Sequence, residues 1–117
     1  MKVKKLRQVF VVAKDLPAQV RFLGETLGLE PAFRDGDRWV QFKAGDVSFA
    51  LASEAEGRGA PAGVPVPVFE VEGLDAALSD LRGAGASIGD VREMGAHGRT
   101  AHVLDPAGVR FMLFQRA

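Results

Sequence analysis

The chain has 117 residues, 47% of them hydrophobic, with fifteen basic and fifteen acidic side chains that cancel, and no cysteine. That length fits one globular domain able to bury roughly two-thirds of its unfolded surface. The missing cysteine excludes disulfides and thiolate metal sites, and the balanced charge gives no footprint for nucleic acid or an anionic membrane.

The basic start, Met1 to Arg7, leads into an apolar run broken by Lys14 and Asp15, too short for a signal peptide or a membrane span. The expectation is a soluble cytoplasmic protein whose Lys2, Lys4, Lys5 and Arg7 form a solvated edge. Gln8 to Ala13 is β-branched and aromatic and predicts a strand. Asp15 follows as an N-cap, with Pro17 in the first helical turn. Val20, Leu23 and Leu27 recur at i, i+3 and i+7, with Phe22 beside them, and this group is predicted to be core. Gly28 stops the helix.

Three short strands come next, at about Ala32 to Arg34, Arg38 to Lys43 and Val47 to Ala52, joined by Asp35-Gly36 and Ala44-Gly45-Asp46. Alternation sets Val40 and Phe42 against Trp39 and Gln41. It likewise sets Val47, Phe49 and Leu51 against Ser48, Ala50 and Ala52. Ser53 to Gly63 lacks apolar periodicity and reads as an exposed connector.

The second half repeats the first. Pro65 to Glu72 predicts a strand, irregular at its prolines. Leu74 to Ala84 predicts a helix with Leu74, Ala77, Leu78 and Leu81 on one face and Gly85 as its stop. Ile88 to Met94 predicts a short strand and Gly95 to Gly98 a loop. The chain closes on a hairpin around Asp105-Pro106-Ala107-Gly108, the residue set of a type I turn. Its flanks place Thr100, His102 and Leu104 on one face, and Arg110, Met112 and Phe114 on another. A shift of 58 sets Leu16 on Leu74, Val20 on Leu78 and Leu23 on Leu81. Each half reads strand, helix and three strands. The expected domain is therefore two repeated modules, about residues 1–53 and 64–117, joined by a Gly/Ala/Glu-rich connector at 54–63. The predicted fold is α+β: two βαβββ modules forming a curved mixed sheet, helices on the outer face and a concave pocket within.

This duplicated pattern resembles the vicinal oxygen chelate superfamily of glyoxalases, bleomycin-resistance proteins and extradiol dioxygenases. The most specific pieces are Val12-Ala-Lys-Asp-Leu-Pro17 with Leu27-Gly28-Leu29, then Val71-Glu-Gly-Leu-Asp-Ala-Ala77, then Asp105-Pro106-Ala107-Gly108. In the metal-using members four ligands, usually His, Glu or Gln, line the concave face and hold a divalent ion as a Lewis acid. The resemblance places these positions on Gln8, near Ala50 with Ser48 as the other residue of that face, near Val66, and on Met112. Gln8 alone keeps a hard donor; alanine and valine cannot ligate, and a thioether is a poor ligand for hard ions. The resemblance thus implies the branch without a metal or other cofactor, which sequesters a small molecule in the same cavity.

The expected ligand-binding residues are Gln8, Phe10, Trp39, Ala50, His102, Arg110, Met112 and Phe114. Trp39, Phe10, Met112 and Phe114 would stack on a flat guest, or serve as core or, for Trp39, as a dimer seam. His102 is either a ligand-binding or acid–base imidazole or a locally satisfied strand residue, and it is the candidate if any residue is catalytic. His97 reads as a solvated loop residue. Glu70 and Arg110 share the parity of His102, but near strand ends they read as surface charges rather than a ligand clamp. The expected function is capture of a small, largely apolar or aromatic molecule by a cytoplasmic homodimer. The alternative is a metal-dependent lyase, isomerase or dioxygenase with ligands rearranged around Gln8, His102 and Glu70. A third reading, an interaction module with its cavity closed by Met112 and Phe114, predicts no guest at all.

Overall fold

The structure, a computed structural model, describes residues 1–117. In order the chain forms β1 (Val3–Val12), α1 (Leu16–Arg21), β2 (Glu30–Asp35), β3 (Trp39–Ala44), β4 (Val47–Ala52) and α2 (Glu54–Gly57). It continues through β5 (Val66–Val71), α3 (Leu74–Gly83), β6 (Ser87–Ile88), β7 (Arg92–Glu93), β8 (Arg99–Leu104) and β9 (Arg110–Gln115). This is an α+β fold with mixed strand pairing. No helix is long and apolar enough to cross a membrane. The chain forms two compact units, one of Gln8–Val66 and one of Met1–Arg7 with Pro67–Ala117.

In the Gln8–Val66 unit the strand order is β2-β3-β4-β1. β1 runs parallel to β4, with Gln8 beside Ser48 and Phe10 beside Ala50, and the other pairs are antiparallel. Parallel neighbours need a long crossover, which the intervening helix and hairpins supply. Val40, Phe42 and Leu51 form the helix-covered core, with Leu16, Val20, Leu23 and Leu29 packed on it.

Asp15 caps α1 as predicted, its carboxylate accepting from the Ala18 N–H at 3.2 Å, while Gln19 Oε1 accepts from the N–H groups of Lys14 and Asp15. Asp15→Ala is expected to lower stability by about 1 kcal/mol in a thermal or urea titration. An unchanged midpoint would show that Gln19 alone satisfies this terminus.

The predicted helical face holds at Val20 and Leu23 and fails at Phe22 and Leu27. Phe22–Thr26 is a π-turn, in which Leu27 N–H reaches back to the Phe22 carbonyl at 2.8 Å. One extra residue in the turn rotates everything beyond it. Leu27 and Phe22, expected in the core, are 59% and 56% exposed, and Leu29 packs inward instead. The connector also departs from expectation. Ser53 Oγ caps α2 by accepting from Glu56 N–H, and Gly57 and Ala60 are buried. A Cβ on Gly57 would overlap Cγ2 of Val12, so only glycine lets the segment lie this close to β1. Val12 pairs with Ala62 farther along the same segment.

In the other unit the order is β5-β9-β8-β6, with β7 also on β8. β5 is parallel to β9, and β8 is antiparallel to its neighbours. The topological pattern is that of the first unit: the last strand lies beside the first and parallel to it. Leu74, Ala77 and Leu78 of α3 bury against Val71, Ala101, Val103 and Leu113. The predicted strand at Ile88–Met94 is two fragments: Gly89 N–H still donates to the His102 carbonyl in the register of β6, and β7 then pairs with β8 one residue out of step, Arg92 beside Thr100. The Asp105 turn closes as expected: Gly108 N–H donates to the Asp105 carbonyl, and Asp105 Oδ1 accepts from Ala107 and Val109 N–H.

Candidate functional site

Each unit has one sheet face under its helix and one turned away from it. In the Gln8–Val66 unit the second face carries Gln8, Phe10, Trp39, Gln41, Ser48, Ala50 and Ala52, as the register requires. Phe10 is 1% exposed, and its ring centroid lies 5.8 Å from that of Trp39, the planes tilted by 47°. Trp39 Nε1–H donates to Gln41 Oε1 at 3.0 Å, and Gln41 Nε2–H donates to Ser48 Oγ at 3.2 Å. Trp39 is therefore oriented by a polar ladder across β3 and β4. Gln8 is half-buried beside Ser48, and Ala50 is fully buried between Phe10 and Gln41.

In the other unit the corresponding face forms two cross-strand ranks. One is Val68, Met112 and His102; the other is Glu70, Phe114 and Thr100. His102 and Met112 are thus direct neighbours. Arg110 sits next along β9 and opposite Leu104, and its Nη1 meets His102 Nδ1 at 3.2 Å. His102 and Arg110 are half-buried, whereas Met112 and Phe114 are buried. His97 is exposed in the 3₁₀ turn Gly95–His97.

Glu70 overturns one expectation. It is 2% exposed, not a surface charge. A buried carboxylate requires partners, and it has three. Arg7 Nη1 donates to Oε1 at 3.0 Å, Arg116 Nε donates to Oε2 at 3.1 Å, and Lys4 Nζ lies 3.4 Å from Oε2. Burial alone would raise its pKa, but the bond and charge of Arg116, with the bonds of Lys4 and Arg7, outweigh burial and hold its carboxyl below the usual glutamate range. Arg7 also lies 4.2 Å over the Phe114 ring. Lys4 and Arg7 are therefore members of this cluster rather than a free solvated edge, because β1 begins at Val3 and not near Gln8. Sequence reading missed Arg7, Lys4 and Arg116. The available signal was Glu70 itself, a charge inside the otherwise apolar run Val66–Val71.

Nowhere do three or more His, Cys, Asp or Glu side chains converge as a metal would need. The family resemblance carries the metal-ligand positions onto Gln8, near Ala50, near Val66, and onto Met112. Ala50 and Val66 are fully buried and offer no donor atom, and Met112 offers only a thioether, so this set does not fit a hard divalent ion.

Two βαβββ repeats, each with one face under its helix and the other turned away, define a glyoxalase-type architecture. The profile of the Glyoxalase/Bleomycin resistance protein/Dioxygenase superfamily matches residues 5–113, and the chain belongs to that superfamily. No match was found among curated proteins. Among solved structures it is similar to methylmalonyl-CoA epimerase from Mycobacterium tuberculosis, at 19% identity and TM-score 0.69, covering 98% of this chain and 89% of that one. A glyoxalase/bleomycin resistance protein/dioxygenase superfamily member from Vibrio splendidus gives 16% identity and TM-score 0.74, covering 95% and 99%. A hypothetical protein from Bacillus halodurans gives 10% identity and TM-score 0.79, covering 97% and 94%. At these identities the likeness is one of fold.

Proposed function

We propose that this chain works as a bleomycin-resistance-like binding protein, a cytoplasmic homodimer that holds a small, largely apolar or aromatic molecule without the metal site usual in its superfamily. What supports this reading is that the positions onto which the resemblance carries the ligands fall on or near Ala50, Val66 and Met112, side chains that offer a hard ion no donor, with Ala50 and Val66 fully buried. In the Gln8–Val66 unit, half-buried Trp39 over buried Phe10 supplies aromatic surface beside the polar Gln8, and in the other unit half-buried His102 and Arg110 supply polar groups beside buried Met112 and Phe114.

Protein purified without chelator is expected to carry substoichiometric divalent metal by elemental analysis, and EDTA is expected to leave its melting temperature unchanged. A flat aromatic guest should raise that temperature as its concentration passes its Kd. Stoichiometric metal whose removal abolishes guest binding would overturn the proposal. Size-exclusion chromatography with light scattering tests the dimer.

A further inference from the structure

Glu70 gathers more positive charge than it can neutralise. Arg7 Nη1 donates to its Oε1, Arg116 Nε donates to its Oε2, and Lys4 Nζ stands beside the same Oε2. One negative charge faces three positive ones, so two positive charges are left over. Glu72, two residues farther along the chain, pairs with none of the three. Lys2 and Lys5, exposed and without an ion pair, flank Lys4 in sequence and add to the same positive field.

The cations also retain donors. A guanidinium carries five N–H groups in a rigid fork, and an ammonium three. Arg116 uses Nε on Glu70, which leaves both of its Nη nitrogens. Arg7 uses Nη1, which leaves Nε and Nη2. Those remaining nitrogens meet no acceptor in the protein. Arg7 is further fixed by its place over the Phe114 ring. All three cationic side chains reach solvent, while the carboxylate between them is buried. Glu70 is thus the floor of the cluster and the cations are its rim. The like charges have already been drawn together, so an anion meets them assembled.

We propose that Lys4, Arg7 and Arg116 form a binding site for a dianionic phosphoryl group, set over the buried carboxylate of Glu70 where β5 and β9 end. A dianion matches the surplus of two charges, whereas a carboxylate leaves one uncancelled. The free N–H groups of two arginines suit the several oxygens of a phosphoryl group. Inorganic phosphate and a phosphate monoester offer this same chemistry. The site goes beyond the aromatic-guest reading and does not depend on it.

Calorimetric titration of the full chain with phosphate, sulfate, acetate and phenyl phosphate tests it, at fixed ionic strength and about pH 8, where phosphate and its monoesters are chiefly dianions. Phosphate and sulfate are expected to bind about fivefold or more tighter than acetate, the effect of one further charge at contact distance in water. This comparison uses the unmodified protein and needs no variant to fold. Arg116→Gln and Lys4→Gln should each weaken phosphate about fivefold. Arg21→Gln, the same loss of charge at the exposed end of α1, should leave it unchanged. Phenyl phosphate binding tighter than inorganic phosphate supports a site for a phosphorylated organic molecule, and equal affinity supports a site for free phosphate. Acetate binding as tightly as sulfate, an Arg21→Gln effect as large as that of Arg116→Gln, or no phosphate binding at millimolar concentration would overturn the proposal and leave the aromatic-guest reading standing. Phosphate binding with no aromatic guest would do the reverse.

Discussion

Gly98→Ala is expected to destabilise the protein by about 3 kcal/mol or more, with the loss concentrated at the end of β9. Gly98 has φ 97° and ψ −156°, a backbone region essentially reserved for glycine. A Cβ there would overlap the Gln115 carbonyl oxygen and lie 3.0 Å from Cε2 of Phe114. The backbone oxygen cannot swing away as a side chain could. Gln115 has a second duty, since its Oε1 accepts from Leu74 N–H at 2.7 Å and so supplies the cap that Gly73 cannot give α3. Displacing Gln115 therefore strains β9 and uncaps the helix over it. Urea unfolding measures the total, and hydrogen exchange at Leu74 and Gln115 locates it. A variant as stable as the parent would mean that the 95–98 turn relaxes without moving β9.

Glu70→Ala is expected to cost about 2–3 kcal/mol. Removing one member of a buried ion pair typically costs about 3–5 kcal/mol. Here the three cations are 34%, 44% and 61% exposed, so water relieves part of their mutual repulsion and the lower figure applies. The pH dependence follows from the lowered pKa of Glu70. A carboxyl with a native pKa below its unfolded value binds more protons when unfolded, so it contributes stability above about pH 4.5. That contribution declines as pH falls below 4.5 and is gone once the depressed native value is passed. In Glu70→Gln this acid-side decline should flatten relative to the parent in urea titrations across that range. Parallel curves for the two proteins would show that Glu70 does not couple to pH in this way.

Alternation was enough to read the sheets. The faces of β3, β4, β8 and β9 fall as period-two patterning places them, and the 3.6-residue spacing of Leu74, Ala77, Leu78 and Leu81 describes α3. The π-turn was not legible because one inserted residue changes phase without any residue type announcing it. Leu27 and Leu29 look interchangeable in the sequence, and only tertiary packing chooses Leu29. The connector carried a readable sign in Ser53 followed three residues later by Glu56, a capping pattern, but a four-residue helix shows no periodicity to support it. At the candidate site, parity along β8 and β9 brought His102, Arg110 and Met112 to one face. The ion cluster was hidden because its partners are remote in sequence: Arg7 is 63 residues from Glu70, and no local rule links them.

The first strand has a bearing on how this chain can be taken apart. Its opening residues, Met1–Arg7, group with Pro67–Ala117, while the rest of β1 pairs with β4. Scission in the stretch 54–63 would release a C-terminal fragment retaining Glu70 and Arg116 but stripped of Lys4 and Arg7, so its interior carboxylate would face one counter-ion where the intact chain supplies three. The repeat visible in the sequence and the piece able to neutralise its own charges thus have different borders. Each end of the polypeptide is needed to finish the same half.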